Sequence, residues 1–258
     1  MNGRSGWVVK KYLVPAFLRR GGCADSQRAD GADGAVSKFE NKLRRLTHPM
    51  LLRYYLRYAA SRIQTTKVGG FRMCVLPSVF HPKYFGSSSI LGRYIESLDL
   101  NGKTFLDMGT GSGIVGLFAA RAGARVTGTD INPEAIRCAR DNAGTAGFQI
   151  EYVEGDLFSA LSDRRFDVIA WNPPFFPKAA GTTAEAALYA GAGYDVIARF
   201  ARQCRAHLAS EGRVVLVLSF DIDVTVVESM FAAEGFSTRR AVTEKWGMGE
   251  TMVVIDIQ

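Results

Sequence analysis

Residues suited to cross-linking or metal binding are scarce in this 258-residue chain. Its four cysteines (Cys23, Cys74, Cys138, Cys204) are scattered, no C-x-x-C pair occurs and histidines number three, which argues against a disulfide framework and against a zinc site. No metal is expected. Uninterrupted apolar runs of about 18 residues are also missing, so neither a membrane span nor a membrane partner is expected. Internal repeats and long low-complexity tracts are absent, and with 47% apolar residues a chain of this length buries a large core without staples. A reducing, cytoplasmic location fits this composition. Acid is missing from the first 23 residues, as in an organelle transit peptide, but serine is sparse there too.

Charge is unevenly placed. Residues 1–70 hold 14 Lys and Arg against 4 Asp and Glu, whereas residues 71–258 hold 18 against 21. A basic leader on a nearly neutral body suits a polyanion or an acidic partner, and equally a solvated helix face whose long stems cover apolar surface. Between Lys38 and Arg62 apolar residues from Phe39 to Tyr58 recur near helical spacing, with Pro49 splitting the run into two helices. The reading is a basic, mainly helical extension over 1–70 and a second domain over 71–258.

Val68 to Pro77 reads as a strand or small hairpin about Gly69-Gly70, and Ser87-Ser88-Ser89 as the cap of a helix reaching Leu98. After Asn101-Gly102 the rhythm becomes strand–helix alternation. Strands are expected at 103–108, 125–130, 149–153, 166–171, 212–219, 237–243 and 250–257, with helices at 113–122, 133–146, 194–209 and 223–234. The fold class that follows is α/β, a Rossmann-like doubly wound seven-stranded sheet, mostly parallel with an antiparallel last strand.

Chemistry concentrates where the first of these strands ends, in Asp107-Met108-Gly109-Thr110-Gly111-Ser112-Gly113. Glycines two apart let the backbone turn sharply and approach a ligand at the carboxyl edge of a sheet. Asp130 ends the next strand, where a carboxylate can accept both hydroxyls of a ribose. The third glycine comes one residue too early for a nicotinamide-dinucleotide turn, and Ile131-Asn132-Pro133-Glu134 offers a diphosphate no cation. Asp156, after the third strand, suits either an adenine amino group or a helix N-cap. The three turns together describe an adenosine site with a short zwitterionic tail.

The fourth strand runs into Asn172-Pro173-Pro174-Phe175-Phe176. Two prolines hold the backbone extended and remove two N–H donors, so the Asn amide oxygen and a neighbouring carbonyl form a paired acceptor for a planar NH2 group, on which Phe175 can pack. With these motifs in place the chain resembles class I S-adenosylmethionine-dependent methyltransferases of the amino-methylating type, among them the small-domain and release-factor glutamine enzymes. The resemblance spans about residues 76–258, including Val79 to Phe85 upstream of the sheet. Phe175 stands where release-factor enzymes usually have Tyr.

The resemblance implies S-adenosylmethionine as cofactor and S-adenosylhomocysteine as product. Asp107, Gly109, Thr110, Gly111 and Gly113 would hold the methionine end, Asp130 with Ile131 the ribose, and Asp156 with Leu157 the adenine. Asn172, Pro173 and Phe175 would form the catalytic group, Asn172 touching the cofactor as well, and Phe80, Tyr84, Pro174 and Phe176 would meet the acceptor. Acceptor class stays open between a small molecule, a protein side-chain amide and a nucleobase, and oligomeric state stays open too. The competing class is a catalytically silent module that binds RNA or protein through the basic region. His48 and His81 read as structural, Tyr54 to Tyr58 and Cys138 as core, and Thr182 to Gly193 as a loop over the substrate.

Overall fold

In the computed structural model the described residues are 61–258 apart from 177, 180, 182–186, 220, 221 and 247–249. The chain divides into two compact units, Met1–Leu51 and Leu52–Gln258, and the described residues belong to the second. The helical expectation for 38–60, with His48 and the tyrosines of 54–58, lies outside the described residues, and Ser61 and Arg62 at its expected end form a turn and a bend.

Strands β1 (Gln64–Val68) and β2 (Phe71–Val75) form an antiparallel hairpin. It turns through Gly69 and Gly70, both at positive φ. A side chain at Gly69 would collide with the Phe118 ring, so only glycine fits. Val68 and Met73 are buried in one core cluster with Phe118. The domain start expected at residue 71 coincides with the first residue of β2, so it divides a hairpin whose two strands pack into the same core.

A one-turn helix α1 (Pro82–Phe85) leads through Gly86 into α2 (Ser87–Glu96). The serine cap expected for α2 is not made: Gly86, at φ 68°, occupies the N-cap without a side-chain bond. Ser87 and Ser88 are buried and bond elsewhere.

The main sheet contains β3 (Thr104–Met108), β4 (Arg125–Asp130), β5 (Glu151–Glu154), β6 (Phe166–Trp171), β7 (Leu208–Ser219), β8 (Thr238–Trp246) and β9 (Glu250–Ile257). Their order is β5-β4-β3-β6-β7-β9-β8, parallel except for β9, which runs antiparallel between β7 and β8. Crossover helices are α3 (Ile114–Arg121), α4 (Pro133–Ala146), α5 (Asp195–Cys204) and α6 (Val224–Ala233). The expected seven-stranded doubly wound sheet is therefore present. Its central strands are apolar on both faces, as a sheet covered by helices on each side requires. Leu106, Ile169, Leu216 and Ile255 join the cluster beneath α5 and α6, while Phe105, Val168, Val215 and Val254 join that beneath α2 and α3.

The largest shift of a boundary lies between α5 and β7. The helix drawn through residue 209 ends at Cys204, a 3-10 turn covers Arg205–His207, and Leu208 pairs with Phe166 as the first residue of β7. Leu208 is buried there, and its register to β6 shifts before Arg213. Among the described residues no helix is long and apolar enough to cross a membrane, and no His, Cys, Asp and Glu group could hold a metal ion.

Candidate active site

Register assembles the site. Met108 lies beside Thr129 on β4 and beside Trp171 on β6, so the residues that follow, Gly109, Asp130 and Asn172, leave the sheet side by side at its carboxyl edge. Asp130 in turn pairs with Glu154, which brings Asp156 to the same edge. The glycine turn is possible because Gly109, Gly111 and Gly113 all adopt positive φ, between 55° and 84°. Gly113 is the N-cap of α3, and a Cβ there would press at 3.1 Å on Ala139 and the Tyr152 hydroxyl.

A network of carboxylates and backbone amides sets the turn's shape. Asp107 Oδ2 accepts from Thr110 Oγ1 at 2.6 Å and from Gly116 N at 2.9 Å. Asp130 Oδ2 accepts from Gly111 N, and its Oδ1 from Asn132 N, each at 2.9 Å. Buried Asn142 ties the turn to β2, donating to the carbonyls of Ser112 at 2.9 Å and Cys74 at 2.8 Å. Burial pushes Asp107 up to about 7 against the opposing pull of those two hydrogen bonds. The same desolvation raises Asp130, again against its backbone donors. Both carboxylates are thus poised to gain from a cation or a hydroxyl donor brought into the site.

Asn172 is held differently. Its Nδ2 donates to Ser87 Oγ at 3.1 Å and Ser88 Oγ at 3.0 Å, so both amide hydrogens are used by α2. Its Oδ1 is buried and without a hydrogen-bond partner among the described residues. An unpaired buried acceptor costs roughly 1–3 kcal/mol, so this atom would gain from a donor brought into the site. Phe175 is buried against Phe80 in an edge contact, 6.2 Å between ring centroids. Trp171 stacks on Phe200 at 4.5 Å and supports the floor.

These elements enclose a cavity of about 360 Å³, within the range of roughly 300–1,000 Å³ usual for small-ligand sites. Of the residues singled out in the sequence, Asp107, Gly109, Thr110, Gly111, Asp130, Ile131, Asp156, Leu157, Asn172, Pro173, Pro174, Phe175 and Phe80 line it. Three of the others stand away from its wall. Gly113 acts from behind as the α3 cap. Tyr84 is 51% exposed, lies tilted at 53° against the His81 ring and donates to Gln64 on β1 at 2.9 Å, so it faces the hairpin. Phe176 forms a bridge with Tyr189 and meets its ring edge-on at 6.2 Å, leaving Tyr189 as the member of that pair that lines the cavity.

Further lining residues come from two other segments. Tyr189, Ala190 and Gly191 come from the loop expected over the substrate, whose residues 182–186 lie outside the described residues. Arg199 on α5 also lines the cavity and pairs with Asp156. Nothing in the sequence ties residues 43 positions apart. Buried His81 caps α1 by accepting from Lys83 N, and burial lowers it to about 4, as its structural reading requires. Cys138 is buried as expected, its thiol raised to about 11 by desolvation.

A family model described as methyltransferase small domain matches residues 70–246. The chain is similar to a release factor glutamine methyltransferase of Deinococcus radiodurans, 41% identical over 124 residues, covering 44% of each chain. It spans about half the length of the curated relatives it matches. Among solved structures it is similar in fold to a T. thermophilus 16S rRNA N2 methyltransferase in complex with AdoMet and guanosine. There the TM-score is 0.57, at 22% identity over 76% of this chain and 50% of that one. An E. cuniculi complex responsible for methylating a translation termination factor gives a TM-score of 0.56, at 24% identity over 70% and 98%.

Proposed function

The chain belongs to the methyltransferase small domain family, and from that premise we propose that it is an S-adenosylmethionine-dependent N-methyltransferase acting on a planar nitrogen. The observation that carries the reading is the unpartnered Asn172 Oδ1 beside the glycine turn. The residues present fit the cofactor. Asp107 and the 109–113 backbone receive its ammonium and carboxylate, Asp130 accepts its ribose hydroxyls, and Asp156 beside Leu157 meets the adenine.

When bound, S-adenosylmethionine supplies a sulfonium methyl, which moves to the acceptor as the N–C bond forms and the C–S bond breaks. Asn172 Oδ1 and the Pro173 carbonyl accept the two N–H bonds of the acceptor, which turns the nitrogen lone pair toward the methyl. Phe175, Phe80 and Tyr189 present ring surface to a flat group and keep water away. The extra proton leaves to solvent once the nitrogen is alkylated. Positioning supplies most of the rate in such a displacement, so a site without His or Cys at the reacting atoms is sufficient.

The silent binding module is the weaker reading, because a relic has no use for an amide oxygen kept buried and available. A protein side-chain amide takes first place among the acceptors, since a matched relative carries glutamine in its name. The test is incubation with a labelled methyl donor and fractionated lysate. Label should enter a protein, RNA or small-molecule pool with wild type and in none with Asn172→Ala; label in no pool with either would sink the enzyme reading.

A further inference from the structure

On the cavity wall, Asp156 and Arg199 form an ion pair between two separate elements. Arg199 Nη2 donates to Asp156 Oδ2 at 2.5 Å, and both residues line the cavity. Asp156 stands in the turn after β5, before Leu157, which is held at φ 50°. Arg199 comes from α5, whose Ile197, Phe200, Ala201 and Cys204 are buried in the core. The helix is anchored by those residues, so the guanidinium is delivered from a fixed backbone. The pair is half-exposed, with both side chains at 44%, so its value lies in orientation more than in stability.

We infer that Arg199 is a positioning residue for purine recognition, one that rests on the S-adenosylmethionine reading of this cavity. A lone carboxylate at a turn rotates freely and offers either oxygen. With Oδ2 committed to a charge-assisted bond, Asp156 presents Oδ1, which has no partner among the described residues. An ionised carboxylate oxygen accepts and cannot donate, so it suits the exocyclic amine of adenine and opposes the 6-oxo group of a hypoxanthine. The commitment works in both directions. Arg199 is itself a donor that a 6-oxo group would welcome, and its bond to Oδ2 holds the guanidinium turned toward the carboxylate. Preference for a 6-amino purine is therefore a property of the pair, beyond what the acid alone provides.

Titration calorimetry on the full chain tests this with S-adenosylhomocysteine and its 6-oxo counterpart, S-inosylhomocysteine. Wild type should favour the amino compound by about tenfold or more, the worth of a hydrogen bond to a charged group. Arg199→Met should weaken S-adenosylhomocysteine about fivefold, as expected for an exposed pair, and narrow the preference, while Arg199→Lys retains most of it. In an Asp156→Asn background the Arg199→Met change should alter affinity by less than about twofold, since the arginine acts through the carboxylate. Equal losses in both backgrounds, or an unchanged preference in Arg199→Met, would overturn the inference while leaving the cofactor reading intact. No binding of S-adenosylhomocysteine by the wild-type chain would overturn the cofactor reading and this inference together. Thermal melts of each variant separate a folding defect from a recognition defect, with Arg199→Gln as the second neutral variant.

Discussion

Asn172 Nδ2 lies 3.0 Å from Ser88 Oγ, a bond between the exit of a central strand and the first turn of a helix 84 residues earlier. Together with Ser87 it consumes both amide hydrogens and leaves Oδ1 as the group offered to an acceptor. Asn172→Ala should therefore leave affinity for S-adenosylhomocysteine within about threefold while methyl transfer falls about a hundredfold or more, the scale of a misplaced reactant. Ser88→Ala should show the same pattern in milder form. Parallel calorimetry and label-transfer rates decide it, and equal loss of binding and transfer would make Asn172 a cofactor residue.

The carboxyl of Asp107, raised to about 7 by burial, predicts two pH effects of opposite sense. In the free protein the native state keeps a proton that the unfolded chain has already lost, so stability declines as pH rises from the ordinary carboxylate range to about 7 and is flat above it. Cofactor affinity moves the other way: the ammonium wants the ionised form, so binding of S-adenosylhomocysteine tightens as pH rises through about 7 and releases a proton. Asp107→Asn should abolish both trends. Calorimetry in buffers of different ionisation enthalpy reads the proton release directly, and pH-independent affinity in the wild type would refute the role.

Asp130 bonds the backbone of Gly111 and Asn132, so its carboxylate both shapes the turn and faces the ligand. Asp130→Ala should weaken S-adenosylhomocysteine by about 1.5–3 kcal/mol and also lower the melting temperature, because two backbone donors lose their acceptor. Unchanged affinity would remove the ribose from this position.

Two glycine substitutions should act with opposite sign. A Cβ at Gly92 on α2 would run into the buried Phe118 ring, so Gly92→Ala should destabilise by about 1–3 kcal/mol through overpacking. At Gly144, inside α4, a Cβ meets nothing, and Gly144→Ala should stabilise by about 0.5–1 kcal/mol. Denaturant titration of the two variants checks the pair, and a stabilised Gly92→Ala would refute the packing of α2 on α3.

The strand–helix alternation, the glycine turn and the two residues that leave the sheet beside it, Asp130 and Asn172, were legible in the chain alone. Each depends on short-range periodicity and on glycine or proline backbone limits, which act within a few residues. Parallel register then brings strand ends together whatever the side chains elsewhere. What lies between distant segments had no such signal. Ser87 and Ser88 read as a helix cap, and packing turned them inward onto Asn172 once Gly86 took the cap position. Tyr84 read as an acceptor contact, yet its hydroxyl meets Gln64 on the hairpin. Arg199 carried no signal at all, since only the docking of α5 on the sheet sets its guanidinium against Asp156. Sequence thus determined which backbone edges form the site, because local conformational limits are written residue by residue. Tertiary packing decided which side chains close it, because their direction depends on neighbours the chain brings together only when folded.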